Sequence, residues 1–216
     1  GGGLEDVRRL RAAGIVSIVL TDHHRDGLAI ERNGRRRLTD HGRRVVGELN
    51  EHGVAIDISH LDEALQLDVI ECSRAPVWAS HSNARALANV PRNLSEAVLA
   101  ALARTGGFVQ LTFDHEFLFG TGVVGRESGA TKLVDHVDHI VRRHGLERIG
   151  LGSDFIEGGE GKAAGLRDAR AFGAIHGELV RRGYDESRIA GIMSGHLIEF
   201  FARVRAGSRR ATGQPR

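Results

Sequence analysis

Short apolar runs alternate along this chain with longer segments of helical period, and that alternation limits the folds open to it more than any other feature. The runs are residues 15–20 (IVSIVL), 54–58 (VAIDI), 76–79 (PVWA), 108–113 (FVQLTF) and 148–152 (RIGLG). They are too short for buried helices and read as strands covered on both faces. Helical patterns fill 40–52, 62–73, 95–105 and 132–144, and two more follow the last strand, at about 166–182 and 185–204. Thr39 or Asp40, Ser95 and Asp185 are suited to N-caps, and Gly53, Gly106, Gly145 and Gly183 follow the helix ends.

Strand alternating with helix predicts an α/β protein with a parallel sheet. A complete (β/α)8 barrel takes about 250 residues, so about five strand–helix units in 216 residues predict a partial TIM-like barrel. The expected organisation is one barrel domain over residues 1–207 and a disordered tail over 208–216. Stretches 22–38 and 114–130 break the pattern and are expected as long loops after strand ends, where functional loops sit. Arg35, Arg36 and Arg37 are expected in a solvated part of the first of these.

Thirty basic and 28 acidic residues leave a net charge of only +2, with the signs interspersed, so nucleic-acid binding is not implied. Lysine occurs only at 132 and 162. No apolar run approaches the roughly 20 residues that cross a bilayer. The compartment stays open, with the cytoplasm favoured for a bacterial protein. The lone Cys72 cannot build a disulfide or a multi-cysteine site, so any metal must rest on His, Asp and Glu.

Residues able to bind metal or move protons recur just after the strands: Asp22 and His23, then His60, His81 and Asp154. In a parallel barrel the C-terminal strand ends share one face, where active sites are built. Taken singly, each histidine is more readily a hydrogen-bonded structural residue; it is their recurrence at one position that points to metal chemistry. His41, His52, His136, His139, His144 and His176 fall in helical patterns and are expected at the surface or its boundary. The i, i+3 pair His136 and His139 could bind metal, but its amphipathic setting favours a structural role.

Three ordered segments, AIDISHLDEAL, APVWASHSNARAL with NVPRNLSEAVL, and DHVDHIVRRHGLERIGLGSDF, resemble the membrane (renal) dipeptidase family in order and spacing. RRLRAAGIVSIVLTD and RLTDHGRRVVGELNEHG extend the resemblance over residues 4–204. It implies a binuclear zinc dipeptidase on a barrel related to the amidohydrolases. His60 and His81 match the two histidines that hold one zinc ion. Arg92 matches the arginine that grips the substrate's terminal carboxylate, and Asp154 the aspartate that carries protons. The family's His-x-Asp and bridging glutamate would lie before Gly1, so the resemblance implies an N-terminally truncated member with at most one zinc site. Where many relatives carry a substrate-contacting histidine, this chain has Asp22 followed by His23; a one-residue shift would bring His23 into that role. Ile156 stands where relatives often carry another aspartate.

The expected function is therefore zinc-dependent hydrolysis of a dipeptide-like substrate, with a homo-oligomer possible. Two alternatives stay open: a catalytically silent barrel remnant acting as a binding module, and a mononuclear amidohydrolase using His60, His81 and Asp154.

Overall fold

Each of the five apolar runs forms a strand of one parallel sheet. The computed structural model describes residues 4–20, 27–124, 128–155 and 159–211. Helix α1 (Leu4–Ala12) leads into β1 (Ser17–Val19), followed by a hairpin of β2 (Ala29–Arg32) and β3 (Arg35–Leu38). Next come α2 (Asp40–Glu51), β4 (Ala55–Asp57), α3 (Glu63–Cys72), β5 (Trp78–Ala79), α4 (Glu96–Thr105) and β6 (Phe108–Leu111). A short α5 (His115–Phe119), α6 (Gly129–His144) and β7 (Ile149–Leu151) precede the C-terminal helices α7 (Ala171–Arg181), α8 (Glu186–Ala190) and α9 (His196–Ala211). The sheet order is β1-β4-β5-β6-β7, all parallel, as the strand–helix alternation predicts.

The expected caps form. Thr39, Ser95 and Asp185 each accept a backbone N–H at their helix starts, and Gly106 and Gly145 close α4 and α6 in left-handed conformation.

Side-chain alternation divides the sheet into two faces. Ile56, Val109, Leu111 and Ile149 join one continuous core with Leu65, Leu99, Leu102, Leu133 and Val137 of α3, α4 and α6. Ala55, Trp78 and Phe108 form a second cluster with Phe200 and Val204 of α9. Phe200 stacks 5.6 Å from the Trp78 ring and 5.4 Å from Phe108. These three sheet residues are the first residues of their strands, so α9 lies across the N-terminal strand ends. The C-terminal ends are left for chemistry.

Three expectations about irregular segments change. Residues 29–38 form a hairpin whose turn, Asn33 at φ 52° and Gly34 at φ 71°, is the Asn-Gly pair that tight hairpins favour. The arginines expected in a solvated loop lie in β3, where Arg36 sits 3.6 Å from Asp62 and Arg37 lies 3.7 Å from Asp68. The buried Asp68 also accepts the Leu38 N–H and an Arg43 guanidinium N–H, which explains why an acidic residue is tolerated there. At the C-terminus, α8 passes through a π-helical turn (Gly191–Gly195) into α9, which continues through Ala211, beyond the expected domain end at 207.

Candidate active site

Asp57, the last residue of β4, builds the frame on which the two candidate metal histidines rest. Its buried Oδ1 accepts the Ser59 N–H at 2.9 Å and the Ser80 N–H at 3.1 Å, tying together the exits of β4 and β5. Ser59 Oγ in turn accepts the His81 N–H at 3.2 Å. A charged residue at the end of an apolar run was the available signal for Asp57, and residue-type patterning alone passes over it.

On this frame His60 adopts a left-handed backbone with φ 71°, and Asp154, after β7, has φ 53°. Such conformations cost a non-glycine residue about 1–3 kcal/mol and persist where the surroundings impose them. Gly152 assists at the β7 exit: a Cβ there would collide with the Ser80 carbonyl oxygen, so only glycine lets the strand end approach the His81 loop so closely.

The result is a tight convergence. His60 Nε2 and His81 Nε2 are 2.9 Å apart, with ring centroids at 4.9 Å. Two donors each about 2.0–2.1 Å from one ion can stand at that separation, so the pair fits a shared metal. His81 is prepared for the neutral form a ligand needs: burial pushes its imidazole below the ordinary value, against opposing pulls from the Asp154 and Asp57 carboxylates. Ser80 Oγ lies 2.6 Å from His81 Nδ1; a proton on Nδ1 donates to it and leaves the Nε2 lone pair facing His60.

Arg92 reaches the same point, with Nη2 3.3 Å from His60 Nε2 and its guanidinium 5.3 Å from the Phe117 ring centroid. Its loop is pinned by the neighbouring Asn93, whose buried side chain donates to the Ala88 and Phe117 carbonyls and accepts the Asn83 N–H. Asp154 meets a residue that sequence reasoning did not select. Lys162, only 2% exposed, places Nζ 3.7 Å from both Asp154 Oδ2 and Asp114 Oδ2.

Thus His60, His81 and Arg92 come together, and the Asp154 carboxylate acts electrostatically on His81. Asp22 and His23 lie outside the described residues, as does Ile156. Among the described residues, the one group of three or more potential ligands lying within 4.8 Å of one another is elsewhere, at Glu96, His139 and His144. His136, expected near the surface, is instead fully buried; its Nδ1 accepts the Ala84 N–H and its Nε2 donates to the Leu118 carbonyl. Burial lowers its pKa to about 4, so it is a neutral structural residue.

Comparison with known proteins bears directly on this arrangement. The family model described as membrane dipeptidase matches residues 4–214. The chain belongs to the membrane dipeptidase family. Among this family's curated members, rat Dipeptidase 3 is 33% identical over 177 residues, covering 82% of this chain and 35% of its own length. The chain spans about a third of the length of the curated relatives it matches. A metallopeptidase from Rhodobacter sphaeroides, solved with a phosphinate mimic of the dipeptide L-Ala-D-Ala, is 34% identical with a TM-score of 0.71, over 78% of this chain and 47% of that one. An amidohydrolase from Pseudomonas aeruginosa shares the fold, with a TM-score of 0.83 at 24% identity over 95% of this chain and 69% of that one. The five-stranded parallel sheet with its helices is a partial barrel of the fold that these neighbours share. No helix among the described residues is long and apolar enough to cross a membrane.

Proposed function

We propose that this chain carries part of the active site of a zinc-dependent dipeptidase, with His60 and His81 as ligands to one metal ion. The observation that carries this reading is the 2.9 Å approach of two imidazole Nε2 atoms from successive strand ends, with a guanidinium beside them. Zinc bound there would supply Lewis acidity toward a scissile carbonyl and lower the pKa of water. Arg92 offers paired N–H donors to the terminal carboxylate of a dipeptide, the planar recognition that arginine performs best. Asp154, partly exposed beside His81, is placed to take a proton from water and return it to the leaving amine. Lys162 Nζ, 3.7 Å from Asp154 Oδ2, orients that carboxylate for the task. The family membership and the dipeptide mimic bound by the Rhodobacter relative support a dipeptide as the substrate class.

The resemblance assigns the remaining ligands, a His-x-Asp and a shared glutamate, to strands preceding residue 1. The test follows from that division. Joined to the N-terminal segment that longer family members carry, the chain should hydrolyse dipeptides in a zinc-dependent way. Asp154→Asn should then lower kcat by about 100-fold or more, and Arg92→Ala should chiefly raise KM for substrates with a free carboxylate. An inactive complemented protein would overturn the proposal.

A second reading has one observation in its favour. Among the described residues no third carboxylate, thiolate or imidazole ligand closes on the His60–His81 pair, as a binding module that had lost catalysis would show. Dipeptide binding by the complemented protein without turnover would favour it.

A further inference from the structure

A second cluster of metal-binding chemistry lies away from the strand ends, in the helical layer. Glu96, the first residue of α4, faces His139 and His144 of α6. His139 Nε2 stands 2.9 Å from Glu96 Oε1, and His144 Nε2 lies 3.2 Å from Glu96 Oε2. The ligand atoms of all three residues lie within 4.8 Å of one another. Small side-chain rotations would bring them to the spacing of atoms that share one ion at about 2.0–2.2 Å.

The orientation of His144 separates this cluster from an ordinary surface ion-pair group. Its side chain is only 7% exposed, and Nε2 lies 3.2 Å from Glu96 Oε2 without the alignment of a good hydrogen bond. A buried ring nitrogen left in that state costs about 1–3 kcal/mol unless something else satisfies it. His139 and Glu96 are more exposed, which leaves an approach from solvent. Arg143 Nε lies 3.6 Å from Glu96 Oε2, but its side chain is 72% exposed and free to swing aside.

We propose that Glu96, His139 and His144 form a second divalent-metal site, distinct from the His60–His81 pair, that takes zinc or a similar borderline ion and clamps α4 to α6. Two imidazoles and one carboxylate suit zinc, cobalt or nickel better than magnesium or calcium, which prefer all-oxygen shells. Three protein ligands leave a fourth position for water. Because the ligands come from two helices and span residues 96–144, bound metal would stabilise the folded state by linkage.

The experiment uses the full chain with His60→Ala and His81→Ala, so that zinc binding at the strand ends cannot contribute. After chelator treatment and dialysis, titration with zinc chloride by calorimetry should give one equivalent bound, and cobalt chloride should give visible d–d absorption. Zinc should also raise the Tm. Adding Glu96→Gln or His139→Ala, both at partly exposed positions where folding should survive, should weaken zinc binding by more than about tenfold and abolish the Tm rise. Circular dichroism of each variant confirms that the fold is kept. Failure of the double-alanine protein to bind zinc more tightly than millimolar, or binding undiminished by Glu96→Gln and His139→Ala, would overturn the site. Either result leaves the strand-end proposal standing, since that pair is absent from the experiment.

Discussion

Lys162 Nζ lies 3.7 Å from Asp154 Oδ2 although its own side chain is 2% exposed, so a buried cation supports the carboxylate proposed to carry protons. The same nitrogen is 3.7 Å from Asp114 Oδ2, and the lysine is thereby paired twice. Lys162→Met keeps the length and removes the charge. Because Asp154 is 44% exposed, solvent screens the pair, and a destabilisation of only about 1–2 kcal/mol is expected in urea unfolding. A double-mutant cycle with Asp154→Asn should show a coupling of at least about 0.5 kcal/mol. Strict additivity would mean that the contact does not position Asp154.

Asp57 is expected to control metal binding without touching metal. Its Oδ1 takes both the Ser59 and Ser80 N–H groups, so Asp57→Ala frees the backbones on either side of the histidines. Zinc affinity at the His60–His81 pair should fall by about 10–100-fold, measured with Glu96→Gln and His139→Ala in place to silence the helical cluster. Asp57→Asn retains an oxygen acceptor and should be much milder. Equal losses in the two variants would point to charge, not to tethering.

His136 should make stability fall with acid above the range in which carboxylates ordinarily titrate. Its folded pKa, about 4, is below the ordinary 6.5, so the unfolded chain binds the extra proton. The contribution is fully present above pH 6.5 and is lost as pH falls toward 4. Between pH 7 and pH 5 it amounts to about 2 kcal/mol. His136→Gln should be less stable at pH 7 and should flatten that slope; an unchanged slope would assign the acid sensitivity to other groups.

The strand order leaves β1 and β7 at the two edges, and Ile15, Val16 and Val19 are exposed at or beside β1. Exposed apolar edge strands pair with other chains. Sedimentation velocity should therefore show concentration-dependent association of this chain, and Val19→Lys should shift it toward monomer. A monomer at every concentration would mean that the edges are protected.

Much of the fold was legible in the residues because it depends on local chemistry. Runs such as VAIDI and FVQLTF are predominantly apolar, as strands of a covered parallel sheet are, and Thr39, Ser95 and Asp185 satisfy helix N–H groups within three residues of themselves. The Asn33-Gly34 hairpin was equally local, and its turn signal was available in the sequence.

What local pattern could not decide was which side chains end up facing each other. His136 and His139 share a helix three residues apart. One is sealed in the core between Ala84 and Leu118, and the other meets Glu96 of a neighbouring helix. Lys162 and Asp57 look unremarkable as letters and acquire roles only through partners brought to them by strand register and loop closure. By itself the sequence determined where the five sheet strands and the helices between them form and placed His60 and His81 after adjacent strands, since period and capping act over a few residues. Only the tertiary structure decided that their nitrogens meet at 2.9 Å, that His144 is buried against Glu96, and that Lys162 supports Asp154, because each depends on packing between segments distant along the chain.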